Sequence, residues 1–385
     1  MSYFSNEQID YLYSQVNNPI GETVSICHEC YKHVPALKYE IDNKLYMVKH
    51  CEDHGTHRYV IENDYEFIKN LKCNYDNQTF NFNNHVMLEI SDKCNLDCPH
   101  CYHIPNNKIK DPAIDILMGQ IKAVDKEIDS FWNLCLAGAE SAMHENFHEL
   151  VQEIKNYNKK IFIQCMTNGV RFAKKDFTYK SKQAGLDSVL IGLNHPNYIN
   201  NPTIRKKQET AIDICKQNHL AIGYISYTMA TMQEMDDILT EITTKHWKTL
   251  HFRIRYGSDI GRSIGQERLY LSDVYKMFKL WCEKNNQEFE LLEKLDNNIY
   301  HIMVRVGNHI IRLIQWCDEY DIDMENLISG PWSYFVPGPR TNFLNQIIRR
   351  NAFKNKGIFL QDTPPKRYQL QLIPTKTQLD LRNLE

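Results

Sequence analysis

Residues 91–102 read SDKCNLDCPHCY. The three cysteines, Cys94, Cys98 and Cys101, follow the spacing C-x3-C-x2-C. With 12 cysteines in 385 residues, that pattern is expected by chance on the order of 0.01 times when counted as a template match. Three thiolates so spaced can hold a [4Fe–4S] cluster and leave one iron without a protein ligand, open to a substrate or cofactor. A zinc site, or three unrelated buried thiols, would also account for the residues taken alone.

The surroundings narrow the choice. Just upstream, residues 85–91 (HVMLEIS) have the composition of a strand, so the triple begins where a strand ends. Downstream, strand-like runs at 133–136, 161–166, 188–193, 221–227 and 249–256 alternate with amphipathic helical runs near 112–128, 144–158, 173–184, 203–218 and 231–245. Six β/α units predict a parallel sheet with helices outside. Six falls short of the eight of a closed barrel, so a partial barrel or open sheet is expected. The cysteine loop would then lie at the C-terminal ends of the strands, where parallel β/α folds place their chemistry.

SDKCNLDCPHCY resembles the cluster loop of radical S-adenosylmethionine (radical SAM) enzymes, whose partial six-unit barrel matches this alternation. Further matches follow in family order over residues 85–262. Gly138-Ala139-Glu140 resembles the family's Gly-Gly-Glu turn, with alanine in place of the second glycine. Thr167-Asn168-Gly169 follows the third strand, Asn194 ends the fourth, and Gly223 lies in the fifth. The resemblance implies that Cys94, Cys98 and Cys101 bind a [4Fe–4S] cluster. It implies that Tyr102, Gly138, Ala139, Glu140, Asn168, Asn194 and Gly223 surround SAM, and Arg255 faces the same lumen by strand parity, placed for the methionine carboxylate. It also implies reductive cleavage of SAM to methionine and a 5′-deoxyadenosyl radical that abstracts a substrate hydrogen, with electrons from a flavodoxin- or ferredoxin-type donor. Ordinary alternatives exist for single residues: a helix-terminal acid for Glu140, turn capping for Asn168 and Asn194, and a close backbone approach for Gly223.

Strand parity adds a substrate face. In the sixth strand Phe252, Ile254 and Tyr256 share one side, and His251, Arg253 and Arg255 share the other. Helices cover the outside, so the polar set is expected in the lumen together with Glu89 of the first strand. Arg253 and Arg255 would suit a carboxylate or phosphate, and a buried ion pair with Glu89 is the alternative.

Upstream of the barrel, Cys27-x2-Cys30 and Cys51-x2-His54 form two knuckles about a hairpin turn at Asp42-Asn43. Four such ligands suit tetrahedral Zn²⁺, and a mononuclear iron is compatible with the same set. This stretch resembles the N-terminus of a radical SAM subgroup that includes tetraether lipid synthase-like and pterin-methylating enzymes. The other cysteines read as buried core thiols or isolated residues.

The expected organisation is a metal-binding ribbon and linker at 1–84, a partial (β/α)6 barrel at 85–262, and a C-terminal extension at 263–385 whose hairpin, around Gly307, helps to cover the barrel. The formal net charge of −3 gives no general attraction to nucleic acid. No apolar run reaches the roughly 20 residues of a membrane span, and the polar start is unlike a secretory signal, so a cytoplasmic location is expected. The expected function is radical SAM chemistry on a small anionic or lipid-like molecule, with C–C bond formation or alkyl transfer among its outcomes. Modification of a peptide, or a non-enzymatic zinc-ribbon protein that binds a partner or nucleic acid, are the competing readings.

Overall fold

The computed structural model describes residues 5–27, 33–71, 85–98, 101, 105–108, 110–126, 131–194, 202–229, 231–245, 251–256, 269–294 and 301–315. Cys30, Tyr102 and the side chain of Asn194 lie outside the described residues. No helix of the described residues is long and apolar enough to cross a membrane.

The N-terminal part is an antiparallel sheet in chain order: β1 (Pro19–Ile26), β2 (His33–Ile41), β3 (Lys44–Cys51) and β4 (Gly55–Glu62). Asp42 and Asn43 turn β2 into β3 with φ of 51° and 59°. A two-residue hairpin loop needs that left-handed backbone, and Asp and Asn tolerate it. Helix α1 (Asn6–Ser14) starts with a capping box between Ser5 and Gln8. It buries Leu12 against Leu37, Tyr39 and Val48 on one face of the sheet, while Ala36, Leu45, Met47 and Ile61 form a second cluster.

After α2 (Tyr65–Asn70) comes the larger sheet. Strands β5 (His85–Ser91), β6 (Trp132–Gly138), β7 (Ile161–Thr167), β8 (Ser188–Asn194), β9 (Ala221–Met229) and β10 (His251–Tyr256) are parallel and adjacent in chain order. The crossovers carry α3 (Ile114–Asp125), α4 (Phe147–Tyr157), α5 (Lys175–Ala184), α6 (Pro202–Gln217) and α7 (Glu234–Thr244). All six expected strands are present, and the helix Leu271–Lys284 follows β10 after a connection that lies outside the described residues.

The C-terminal part departs from expectation. Helix α8 (Leu271–Lys284) is followed by β11 (Phe289–Lys294), β12 (His301–Val306) and β13 (His309–Gln315). The β12–β13 hairpin does not lie over the sheet. It extends the sheet sideways, with β13 parallel to β10. An open edge at β10 leaves a row of backbone donors and acceptors unpaired, and β13 satisfies them.

One core cluster joins the outer face of the sheet to the helices. Leu134, Ile163, Ile191, Ile225 and Ile254 meet Leu150, Ile154, Ile212, Leu239 and Phe278 there. Burying each such side chain stabilises the fold by about 1.5–3 kcal/mol before chain entropy is charged against it. The inner face has its own small apolar cluster of Met87, Cys135, Ala137 and Leu190, with Met166 and Tyr224 against it. The larger sheet is a partial barrel whose end strands are β5 and β11.

The two sheets touch through α8. Glu62, at the end of β4, is buried and accepts hydrogen bonds from the Ser272 amide (3.3 Å) and the Ser272 hydroxyl. Asn63 Nδ2 donates to Asp273 Oδ2 (3.3 Å), and Lys276 pairs with Asp64.

Candidate active site

The loop after β5 is pinned before its first cysteine. The Ser91 carbonyl accepts from Ala139 N (2.9 Å) and the Lys93 carbonyl from Glu140 N (2.9 Å). Gly138 makes this possible. Its φ is +136°, and a Cβ placed there would lie 2.2 Å from the Ser91 carbonyl oxygen. Only glycine admits that approach. Ala139 has no positive φ, so alanine is accommodated in place of the second glycine. On the far side, Asn106 N donates to the Asp92 carbonyl and Cys94 N to Asn107 Oδ1, both at 2.9 Å.

Asp111 completes the clamp, and sequence reasoning missed it. It is 5% exposed and accepts from Ser91 Oγ (2.8 Å), Lys93 Nζ (3.0 Å) and Glu145 N (3.2 Å). Its partners lie both upstream and downstream in the chain, so no local spacing could have announced it.

Cys94, Cys98 and Cys101 are half-buried on this loop. Cys101 N donates to the Cys98 carbonyl (3.2 Å), and Leu96 N to Cys94 Sγ (3.4 Å). Burial first, then the nearby Glu140 carboxylate and, less strongly, Cys101 and Cys98 together push the Cys94 thiol up to about 12. Thiols in such a place become thiolates when a metal supplies positive charge. The donor set therefore fits an iron–sulfur cluster with one open iron.

The ribbon offers a contrast. Cys27 Sγ, Cys51 Sγ and one His54 ring nitrogen all lie within 4.8 Å of one another, with His54 Nδ1 3.6 Å from Cys27 Sγ and 3.4 Å from Cys51 Sγ. A tetrahedron with Zn–S near 2.3 Å and Zn–N near 2.0–2.1 Å has an S···N edge of about 3.6 Å. These residues thus fit a tetrahedral zinc. Gly55, at φ +77°, lets the chain turn back after His54. The barrel cysteines form no such compact group, as suits ligands of three different irons.

Glu140 is 1% exposed. Its carboxylate accepts from Thr167 Oγ1 (2.6 Å), Asn168 N (2.6 Å) and Ala142 N (3.3 Å), so it ties the end of β6 to the end of β7. Burial pushes its pKa up to about 7, against the hydrogen bonds, which lower it. The Asn168 side chain reaches back to the loop, with Nδ2 2.8 Å from Asn95 Oδ1 and 3.7 Å from Cys94 Sγ.

The inner wall of β9 and β10 carries the arginines. Arg253, 8% exposed, donates from Nε to Ser226 Oγ (3.0 Å) and stacks its guanidinium 4.7 Å from the Tyr224 ring centre. Arg255, 5% exposed, donates to Thr228 Oγ1 (3.1 Å). Register explains both bonds, since Arg253 pairs with Ser226 and Arg255 with Thr228. Glu89 has Ala137 as its register partner and shares the inner parity of Met87. Gly223 sits at a register shift in β9, where a Cβ would meet Leu190 Cδ2 at 2.7 Å and Ser188 Oγ at 3.1 Å. His251 is not brought to this site. It is exposed at the first position of β10, the end away from the cysteine loop. Parity gives the side of a strand and says nothing of the height along it.

Comparison with known proteins agrees with the geometry. Residues 88–242 match the family model described as the radical SAM superfamily. Residues 88–242 therefore form a radical SAM domain. The chain also matches, over residues 19–63, the model described as the HMPTM N-terminal zinc ribbon domain. It is 25% identical over 205 residues to 7,8-dihydro-6-hydroxymethylpterin dimethyltransferase of Methanocaldococcus jannaschii, an alignment covering 46% of this chain and 40% of that protein. Among solved structures it is similar to Streptococcus suis SuiB bound to precursor peptide SuiA (11% identity, 68% of this chain and 71% of that one, TM-score 0.42). It is also similar to methylornithine synthase (15% identity, 53% and 63%, TM-score 0.36).

Proposed function

We propose that this radical SAM enzyme uses a [4Fe–4S] cluster on Cys94, Cys98 and Cys101 to act on a small, anionic or pterin-like molecule, with methyl or alkyl transfer as the outcome. The observation that carries the reading is the joining of the cysteine loop, the Gly138–Glu140 turn and the Thr167–Gly169 turn by hydrogen bonds at the C-terminal ends of β5, β6 and β7. A [4Fe–4S] cluster held by Cys94, Cys98 and Cys101 would supply, once reduced and with SAM bound, the reductive cleavage of SAM to methionine and a 5′-deoxyadenosyl radical. The residues of the chain do the rest. Glu140, held by three donors, offers its remaining lone pairs to the methionine ammonium. The Gly138 and Ala139 backbone, Asn168, Gly223, Arg255, Asn194 and Tyr102 bound the SAM site. Arg253, oriented by Ser226 and Tyr224, meets an anionic or carbonyl-rich substrate edge, and Glu89 faces it as a hydrogen-bond acceptor.

The pterin class is favoured by the curated relative, and the buried guanidiniums favour an anionic or acceptor-rich substrate over a lipid tail. Cys27, Cys30, Cys51 and His54 hold zinc, and the ribbon (1–84), barrel (85–262) and extension (263–385) act as three parts. A flavodoxin- or ferredoxin-type protein of the cytoplasm supplies the electrons.

Anaerobic reconstitution with iron and sulfide tests the reading. The expected result is a SAM-responsive cluster and 5′-deoxyadenosine under a strong reductant, both lost in a Cys94→Ala, Cys98→Ala, Cys101→Ala variant that keeps its zinc. Reconstituted protein that forms neither cluster nor 5′-deoxyadenosine would refute it. Methylated product from a reduced hydroxymethylpterin, and none from a lipid, would fix the substrate class.

A further inference from the structure

Asn168 and Gln208 form a device aimed at the cluster loop. Gln208 lies on α6, is 0% exposed, and donates through Nε2 to the carbonyls of Asn168 (3.0 Å) and Gly192 (3.1 Å). Glu140 accepts the Asn168 amide. Both backbone polar groups of Asn168 are therefore fixed, one from α6 and one from the end of β6. Its Oδ1 is occupied by Val170 N at 3.0 Å. That leaves Nδ2, with one contact to Asn95 Oδ1 and one to Cys94 Sγ. Every other group on this residue serves to orient that amide.

We propose that Asn168 is a positioning residue that donates an N–H···S hydrogen bond to Cys94 and thereby sets the reduction potential of the cluster, with Gln208 holding it in place from α6. The inference rests on the reading of Cys94, Cys98 and Cys101 as cluster ligands. Reduction adds one electron and makes no bond, and the added negative charge spreads onto the sulfurs. A donor aimed at a sulfur favours the reduced state and raises the potential.

The test is a midpoint titration of the reconstituted, SAM-free protein, followed by the electron paramagnetic resonance of the reduced cluster. Asn168→Ala should lower the midpoint by at least the 59 mV that match a tenfold change in a one-electron equilibrium. Gln208→Met, which leaves the amide in place but loosens it, should shift it the same way by less. Asn107→Ala, which frees the Cys94 amide tether without touching a sulfur donor, should stay at the parent value. If Asn168→Ala does not retain a cluster, Asn168→Ser, able to cap Val170, carries the same expectation. A parent midpoint in the Asn168 variant, or an equal fall in Asn107→Ala, overturns the proposal while leaving the enzyme reading intact. A parent protein that takes up no cluster overturns both.

Discussion

Replacing Gly138 with alanine should unhinge the cysteine loop. The added Cβ would stand 2.2 Å from the Ser91 carbonyl oxygen and 3.2 Å from both the Ser91 carbonyl carbon and amide nitrogen. All three are backbone atoms, so no side chain can swing aside. To reach even 3.0 Å the strands must part by about 0.8 Å, in a close-packed region where small displacements are felt. That parting breaks the 2.9 Å bonds from Ala139 N to Ser91 and from Glu140 N to Lys93. A non-glycine residue at φ +136° adds about 1–3 kcal/mol of backbone strain, and overpacking costs about 1–3 kcal/mol more. The sum is about 2–6 kcal/mol. Urea unfolding should show a lower midpoint at unchanged slope, and iron content after reconstitution should fall well below the parent. A variant within about 0.5 kcal/mol of the parent, the range of ordinary surface changes, and fully loaded with iron, would refute the claim that this contact positions the loop.

Other expectations follow from the same geometry. Cys51→Ser or chelation should release the ribbon zinc and unfold β1–β4, because metal binding worth about 10–16 kcal/mol supplies what so small a core cannot; colorimetric zinc assay with proteolysis of the ribbon checks this. Glu140 titrates from 4.5 in the unfolded chain to about 7 in the fold. The native state therefore holds the extra proton between those values, so apo-protein stability should fall by up to about 3 kcal/mol as pH rises from 4.5 to 7 and then level off. Glu140→Gln should remove that slope in urea titrations at pH 5 and pH 8, while costing about 1–3 kcal/mol for a mismatched donor. Arg255→Met should weaken SAM or substrate binding 10- to 100-fold by calorimetry, about the worth of a charged hydrogen bond. Unchanged affinity with reduced stability would make Arg255 a structural charge.

Much of the barrel could be read from sequence because its signals are local. Alternating apolar runs located the six strands, and the cysteine spacing located the loop. What escaped was tertiary. FELLEK carries too many charges to read as a strand, and β11 exists because β12 offers it an edge, through a register shift at Leu291/Glu293. The shift at Gly223 in β9 breaks the period-two pattern, so Ile222 and Ile225 both face the helices. Asp111 and Gln208 matter through partners far away in sequence. Arg253 stacks on Tyr224, whereas His251 shares its parity but stands at the start of the strand, away from the cysteine loop.

The bond between Glu62 and Ser272 joins the ribbon to the first turn of α8. Burial pushes the Glu62 carboxyl pKa up, so this contact belongs to a dry seam between the two sheets. A metal bound at Cys27, Cys51 and His54 would share its free energy with α8 through this contact, and order in α8 would strengthen metal binding by the same amount. Metal occupancy at one end of the chain and the last sheet strands at the other become two readouts of one equilibrium. A zinc titration watched at Trp281, buried on α8, would report it.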